Sequence, residues 1–270
     1  MSISSLRWRV ASALIAAGAA AIAVLGLAVP AGASTGTSEI SPEQAGYTAT
    51  GAQFRNVTAT VFLRNPAQYA SEVGSYGHSI QLWSPDLVLV LGVSSSTTST
   101  AGFTPAATVY NRSTHAVMAQ TPGTTTFPSG DTVTERMHYD LASGAVTFTA
   151  SDRAGRSFAA TQMVAAGESF GQARIGTEFG TDPWTAPSSY TPPANFAKIA
   201  VYSSVRLTSY TGHNATLVSW WVNHSLLANT GQQTGSDWVA VPSNLYNGGA
   251  SFQTAFVPVK AQGPKQPVLH

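Results

Sequence analysis

Two stretches of the chain place acidic side chains where a carboxylate could do chemistry. After Asp131, alternation puts Val133, Glu135, Met137, Tyr139 and Leu141 on one face of a strand, with Thr132, Thr134, Arg136, His138 and Asp140 on the other. Glu135 therefore stands in an otherwise apolar row, where desolvation would raise its pKa and suit it to act as a general acid. The structural alternatives are a place near a strand end, a pairing with an arginine of a neighbouring strand, or an inward charge guarding a sheet edge. Further on, in Gln172-Ala173-Arg174-Ile175-Gly176-Thr177-Glu178, the apolar face is Ala173, Ile175 and Phe179. Gln172, Arg174 and Glu178 share the other side, because the side-chain period of a strand is two. Such a row could bind a polar ligand or orient a water, or it could be a solvated face with a weak ion pair.

Other chemistries find less support in the residues. His78, His115, His138, His213 and His224 show no metal-binding spacing, so no metal site or cofactor is expected. No Gly-x-Ser-x-Gly elbow and no phosphate-binding glycine motif is present. The chain has no cysteine, which excludes disulfides and thiol catalysis. Aromatic residues offer a second kind of site, since Trp83, Trp184, Trp220, Trp221 and Trp238 could stack sugars or clamp an extended polymer. Trp83 and Trp184, with Arg174, are the candidate ligand-binding residues. Trp220 and Trp221 are adjacent, so on a strand they point opposite ways and at least one belongs to the core.

The elements that must position these residues read as strands and turns. Val57, Ala59, Val61 and Leu63 alternate with Asn56, Thr58, Thr60 and Phe62. Leu87–Leu91 is a continuous apolar run, as expected of a strand covered on both faces, and a Ser/Thr loop follows from Gly92 to Gly102. Thr132–Leu141, Ala145–Ser151 and Arg156–Thr161 are separated by short Gly-containing loops, which predicts an antiparallel meander. Gln172–Phe179, Lys198–Tyr210, Thr216–Val222 and Ser251–Val257 add strands, and the four prolines of Asp182–Asn195 require a long loop. The expected fold is all-β, an antiparallel β-sandwich. Its single domain spans residues 51–260, after a flexible lead at 34–50 and before a disordered tail at 261–270.

The order of these elements resembles the glutamic peptidases (eqolisins). The resemblance is carried by Phe127-Pro128-Ser129-Gly130-Asp131-Thr132-Val133-Thr134, the meander with Gly144 and Gly155, and Gly171–Phe179. It implies a secreted, acid-acting endopeptidase with a concanavalin-like sandwich, in which a Gln and a Glu on one sheet activate a water. The family's Gln lies in a Leu-Gln-x-Gly-Val strand; here Leu89-Val90-Leu91-Gly92-Val93 holds Val90 at that place. The family's Glu place is matched by Gln172, and a Glu-aromatic pair returns six residues later as Glu178-Phe179, facing the same way.

The first 33 residues read as an export signal. Arg7 and Arg9 precede an apolar run from Val10 to Ala28, Pro30 ends it, and Ala31-Gly32-Ala33 supplies the small residues of a cleavage site. If cleavage failed, the run would be an N-terminal membrane anchor of an otherwise extracellular domain. Removing Arg7 and Arg9 leaves 11 basic against 12 acidic residues, and a nearly neutral chain has no electrostatic footprint for nucleic acid. No later segment is long and apolar enough to span a membrane. Two functions fit. The leading one is a secreted, non-catalytic module that binds an extracellular polymer, glycan or peptide. The alternative is an acid-acting endopeptidase of glutamic-peptidase type, with Glu178 or Glu135 as acid/base and Gln172 or Gln81 positioning the water.

Overall fold

The computed structural model describes residues 38–41, 44–64, 75–96, 102–179, 184, 194–228, 238–258 and 269. Sixteen strands are described. In chain order the first eight are β1 Ser38–Ser41, β2 Gln44–Thr50, β3 Phe54–Leu63, β4 Ser75–Trp83, β5 Leu87–Ser96, β6 Thr104–Asn111, β7 Val117–Pro122 and β8 Thr132–Tyr139. There follow β9 Ala145–Asp152, β10 Ser157–Met163, β11 Gln172–Phe179, β12 Ala197–Ser209, β13 Asn214–Ala215, β14 Trp221–Ala228, β15 Trp238–Pro242 and β16 Phe252–Phe256.

The strands pair in the order β10-β9-β8-β3-β12-β16-β15-β14-β2-β11-β4-β5-β6-β7, with β1 added parallel to β14 and every other pairing antiparallel. This long ribbon folds over into two layers. β4 lies across β3 and β8, and β11 lies across β3 and β12, so the inner faces meet as in a β-sandwich. The alternation read in β3 is realised, because Val57, Ala59, Val61 and Leu63 are all buried. Tyr47, Phe54, Tyr139, Phe148, Phe170 and Phe252 fill the space between the layers with large side chains. Both faces of Leu87–Leu91 are covered.

The meander forms as β8, β9 and β10. Its first turn needs Gly144, whose φ is 76° and where a Cβ would come within 2.3 Å of the Val164 carbonyl oxygen. Three expectations need correction. The lead expected to be flexible over 34–50 contains a strand of the sheet, β2, held between β14 and β11 because Ala45, Tyr47 and Ala49 supply an apolar face. The loop expected from Gly92 begins later, since β5 runs on to Ser96 along β4 and β6. The strand expected at Thr216–Val222 is instead a 3-10 turn, Leu217–Ser219, before β14. There the Leu217 amide donates to the Gly249 carbonyl and draws the chain out of a ladder. The export signal lies outside the described residues, as does most of the proline loop. So does the tail except for Leu269, which bridges Ser243 and packs on Val241 and Val257.

Candidate active site

The site is built by two neighbouring strands. β11 and β4 run antiparallel with Gln172 opposite Trp83, Arg174 opposite Gln81, Gly176 opposite Ser79 and Glu178 opposite Gly77. Ala173, Ile175 and Thr177 of β11 point inward with Leu82, Ile80 and His78 of β4. Period two then sends Gln172, Arg174 and Glu178 to the outer face together with Ser79, Gln81 and Trp83.

On that face Glu178 and Gln81 meet. Oε1 of Glu178 accepts a hydrogen bond from the Gln81 amide Nε2 and another from the Ser79 hydroxyl. Gln81 Nε2 also lies 3.1 Å from Ser79 Oγ, and Gln81 Oε1 accepts from the Trp83 indole Nε1 at 2.5 Å. Hydrogen bonds to an ionised acceptor are the strong ones, so this pair is held as a unit. Between Glu178 and Gln81 on this face stands Gly176, opposite Ser79. A Cβ on Gly176 would meet the Ala45 carbonyl oxygen at 2.4 Å and the Gln44 side chain at 2.8 Å. Gly176 stands opposite Gly46 of β2, so two backbones approach where neither carries a side chain. Ser79 and Gln81 are buried, and Glu178 is half-buried and forms the solvent side of the pair.

Val90 is the register partner of Gln81 on β5. Val90, the position at which the sequence resemblance looked for a glutamine, therefore lies directly beside a glutamine on the next strand, facing the same way.

The other candidates are sorted by the same register. Gln172 and Glu178 share a face but stand at opposite ends of β11, about 20 Å apart at 3.3 Å per residue, so the six-residue pairing considered from the sequence does not assemble. Gln172 sits beside Trp83 instead. Glu135 is fully buried between the layers, and neither of its carboxyl oxygens has a hydrogen-bond partner. Burial, and secondarily the charge of Glu178, push its pKa well above the ordinary carboxylate value. Among the described residues no arginine pairs with it, and it lies between the layers and not on the outer face that carries Gln81 and Glu178.

Inward from the same two strands runs a neutral chain. Tyr76 donates to the Ile199 carbonyl at 3.2 Å and lies 2.9 Å from His78 Nε2. His78 Nδ1 lies 2.9 Å from the Tyr202 hydroxyl, which is 3.1 Å from Thr177 Oγ1, itself 2.8 Å from Thr254 Oγ1. His78 sits between two hydroxyls, so in its neutral form one ring nitrogen donates and the other accepts. Burial agrees, lowering the His78 pKa to about 3.

Trp83, Trp184 and Arg174, considered as ligand-binding residues, do come together. The Arg174 guanidinium carbon lies 4.1 Å from the Trp83 ring centroid, and Arg112 lies 5.3 Å from it. Trp184 stacks on His115 at 4.2 Å and meets Tyr110 and Trp83 edge-on at 5.1 and 5.9 Å. The sequence reading missed Ser79 and also Gln44, which pairs with Glu178 across β2. The alternation of Ala45, Tyr47 and Ala49 against Gln44, Thr48 and Thr50 was the signal for the latter. Among the described residues, no three His, Cys, Asp or Glu side chains gather in a way that could hold a metal ion.

No family model matches the sequence, and no curated protein matches it. Solved structures do. A scytalido-glutamic peptidase bound to a transition-state-analogue inhibitor is 12% identical, with a TM-score of 0.59, over 80% of this chain and 98% of the other. A second such complex, with a peptide-based analogue, gives 13% and 0.58 over the same shares. SCP-B, a member of the eqolisin family in complex with the tripeptide Ala-Ile-His, gives 12% and 0.54, again over 80% and 98%. At such identities the likeness concerns the fold, and in fold this chain is a β-sandwich similar to the glutamic peptidases.

Proposed function

We propose that the protein is an exported, acid-acting endopeptidase in which Glu178 and Gln81 form the working pair. The observation that carries this reading is the contact between the Glu178 carboxylate and the Gln81 amide on the outer face, beside Val90. Export is supported by Arg7 and Arg9, the apolar run after them and Ala31-Gly32-Ala33.

The chemistry follows from the donor and acceptor inventory. Glu178 takes a proton from a water, whose oxygen attacks the peptide carbonyl carbon. The Gln81 N–H that rests on Ser79 Oγ turns to the carbonyl oxygen as it gains negative charge, while the Ser79 hydroxyl goes on donating to Glu178. Glu178 then returns the proton to the departing amine, and the products are a carboxylic acid and an amine. Ser79 is fully buried and donates to Glu178, so it holds the carboxylate rather than attacking.

A second reading, a polymer-binding module without catalysis, is favoured by the cluster of Trp83, Trp184, Tyr110 and the two arginines on the same face. Incubation with a denatured protein between about pH 2 and 7 separates the two. Cleavage at acid pH that disappears in Glu178→Gln supports the peptidase. No cleavage at any of these pH values, with retention on insoluble glycan or cell-wall material, supports the binding module instead.

A further inference from the structure

A glutamine side chain is ambiguous, because its amide oxygen and nitrogen have nearly the same shape and opposite roles. For Gln81 the ambiguity matters. Turned one way, its NH2 reaches Glu178. Turned the other way, its oxygen would face the carboxylate and repel it.

The neighbour two residues along decides between the two. Trp83 shares the face of Gln81, roughly 7 Å along β4, and its indole nitrogen can only donate. Its Nε1 lies 2.5 Å from Gln81 Oε1, so the oxygen must face the indole and the NH2 must face Glu178 and Ser79. Trp83 is itself fixed. It is 4% exposed, packed with Val88, Val90 and Tyr110, and held in cation–π range of Arg174 and Arg112.

We infer that Trp83 is the positioning residue of the site. It sets the amide orientation of Gln81 and so keeps the N–H donors, and not the oxygen, on the side of Glu178 and Ser79, where a substrate carbonyl would meet them. The inference rests on the peptidase reading for its effect on rate, but its physical content can be read without activity.

The test is Trp83→Phe, which keeps an aromatic ring for Arg174 and Arg112 to stack on and removes the donor. The expected result is a fall in kcat on the order of 10- to 100-fold with KM within about twofold, because a misaimed group costs the chemical step and not binding. In 15N-labelled protein the two Gln81 side-chain amide protons, distinct in the wild type, should move towards averaged positions in Trp83→Phe. In the reverse arm, Gln81→Leu should shift the Trp83 indole N–H upfield and speed its exchange with solvent. That arm decides the matter if Trp83→Phe does not fold. Unchanged kcat and unchanged Gln81 amide signals in Trp83→Phe, or an indole N–H indifferent to Gln81→Leu, would overturn the inference. A wild type that cleaves no peptide but shows the expected amide and indole signals removes the peptidase reading and leaves the positioning contact standing.

Discussion

β4 and β11 carry polar side chains on both faces, and the two faces handle polarity in different ways. Inward, Tyr76, His78, Tyr202, Thr177 and Thr254 pass hydrogen bonds along a chain of neutral groups. Outward, Gln81 and Ser79 converge on the Glu178 carboxylate. The interior also holds Glu135, the one acidic residue that is fully buried among the described residues, and gives it no partner at all. Burial of an ionised carboxylate without compensation costs several kcal/mol, so Glu135 is kept protonated while Glu178 has donors suited to a charge. Two glutamates in one molecule thus meet opposite surroundings, one stripped of partners and the other supplied with donors.

The strongest way to break this comparison is to exchange the roles. Glu178→Gln should lower acid peptide hydrolysis by about 1,000-fold, within the range of a lost general base. Glu135→Gln should leave the rate within about threefold, because the side chain does not reach the face where substrate would lie. Steady-state rates on one peptide at one acid pH decide it. Equal losses in the two variants would place Glu135 in the chemistry after all.

The interior groups give the second prediction, through their opposite pKa shifts. Burial raises the Glu135 pKa well above 4.5, so the folded state holds a proton that the unfolded chain releases as pH rises past 4.5. Its contribution is fully present below about pH 4.5 and declines above it. Burial lowers the His78 pKa from 6.5 to about 3, so its contribution is fully present above pH 6.5 and is lost as pH falls from 6.5 towards 3. Above pH 4.5 and below 6.5 the two contributions run in opposite directions. Stability should therefore change least there and fall as pH drops below 4.5. Glu135→Met should remove the opposing slope and leave stability rising with pH up to 6.5. Urea midpoints taken every half pH unit test this; a wild-type profile that climbs steadily from pH 5 to 8 would count against a buried, unpartnered Glu135.

Much of this fold was legible because the deciding contacts are local. The meander of β8, β9 and β10 announces itself through alternation and Gly144, and β11 begins and ends where its pattern does. The site was legible only in part. That Gln172, Arg174 and Glu178 share a face follows from period two, and that Glu178 meets Gln81 rather than Gln172 follows from cross-strand register, which no single strand contains. Val90 looked like a lost catalytic residue in its own segment; its pairing with Gln81 becomes visible only when β5 lies against β4. Glu135 was placed correctly in an apolar row, but the depth of that row depends on the opposite layer. β2 was misread because half of its buried residues are alanine or glycine, which signal a strand weakly.

The third prediction concerns the space that lets the outer pair form. Gly176→Ala should destabilise the fold by about 1–3 kcal/mol, the cost of forcing a methyl against the Ala45 carbonyl and the Gln44 side chain. It should also reduce activity, since any shift of β11 against β2 at this position moves Glu178, two residues along the same face, relative to Gln81. Thermal unfolding and rates measured on the same preparation check both parts. A stable, fully active variant would show that the close approach of β2 and β11 is not what seats Glu178.

The smallest effects come from single hydroxyls, and they draw the line between the two faces most finely. Ser79 donates to Glu178 outward, while Thr177, one residue before Glu178, joins Tyr202 and Thr254 inward. Ser79→Ala removes one of two donors from a charged oxygen and leaves Gln81 in place, so kcat should fall about five- to tenfold, in line with about 1 kcal/mol for one shared hydrogen bond. Thr177→Val keeps the shape and removes a hydroxyl from the neutral chain, which should cost about 1 kcal/mol of stability and leave kcat unchanged. The two variants then separate, one in rate and one in unfolding midpoint. If Thr177→Val slowed hydrolysis as much as Ser79→Ala, the inner chain and the outer pair would be one coupled network, and the division of labour between the faces of β4 and β11 would have to be given up.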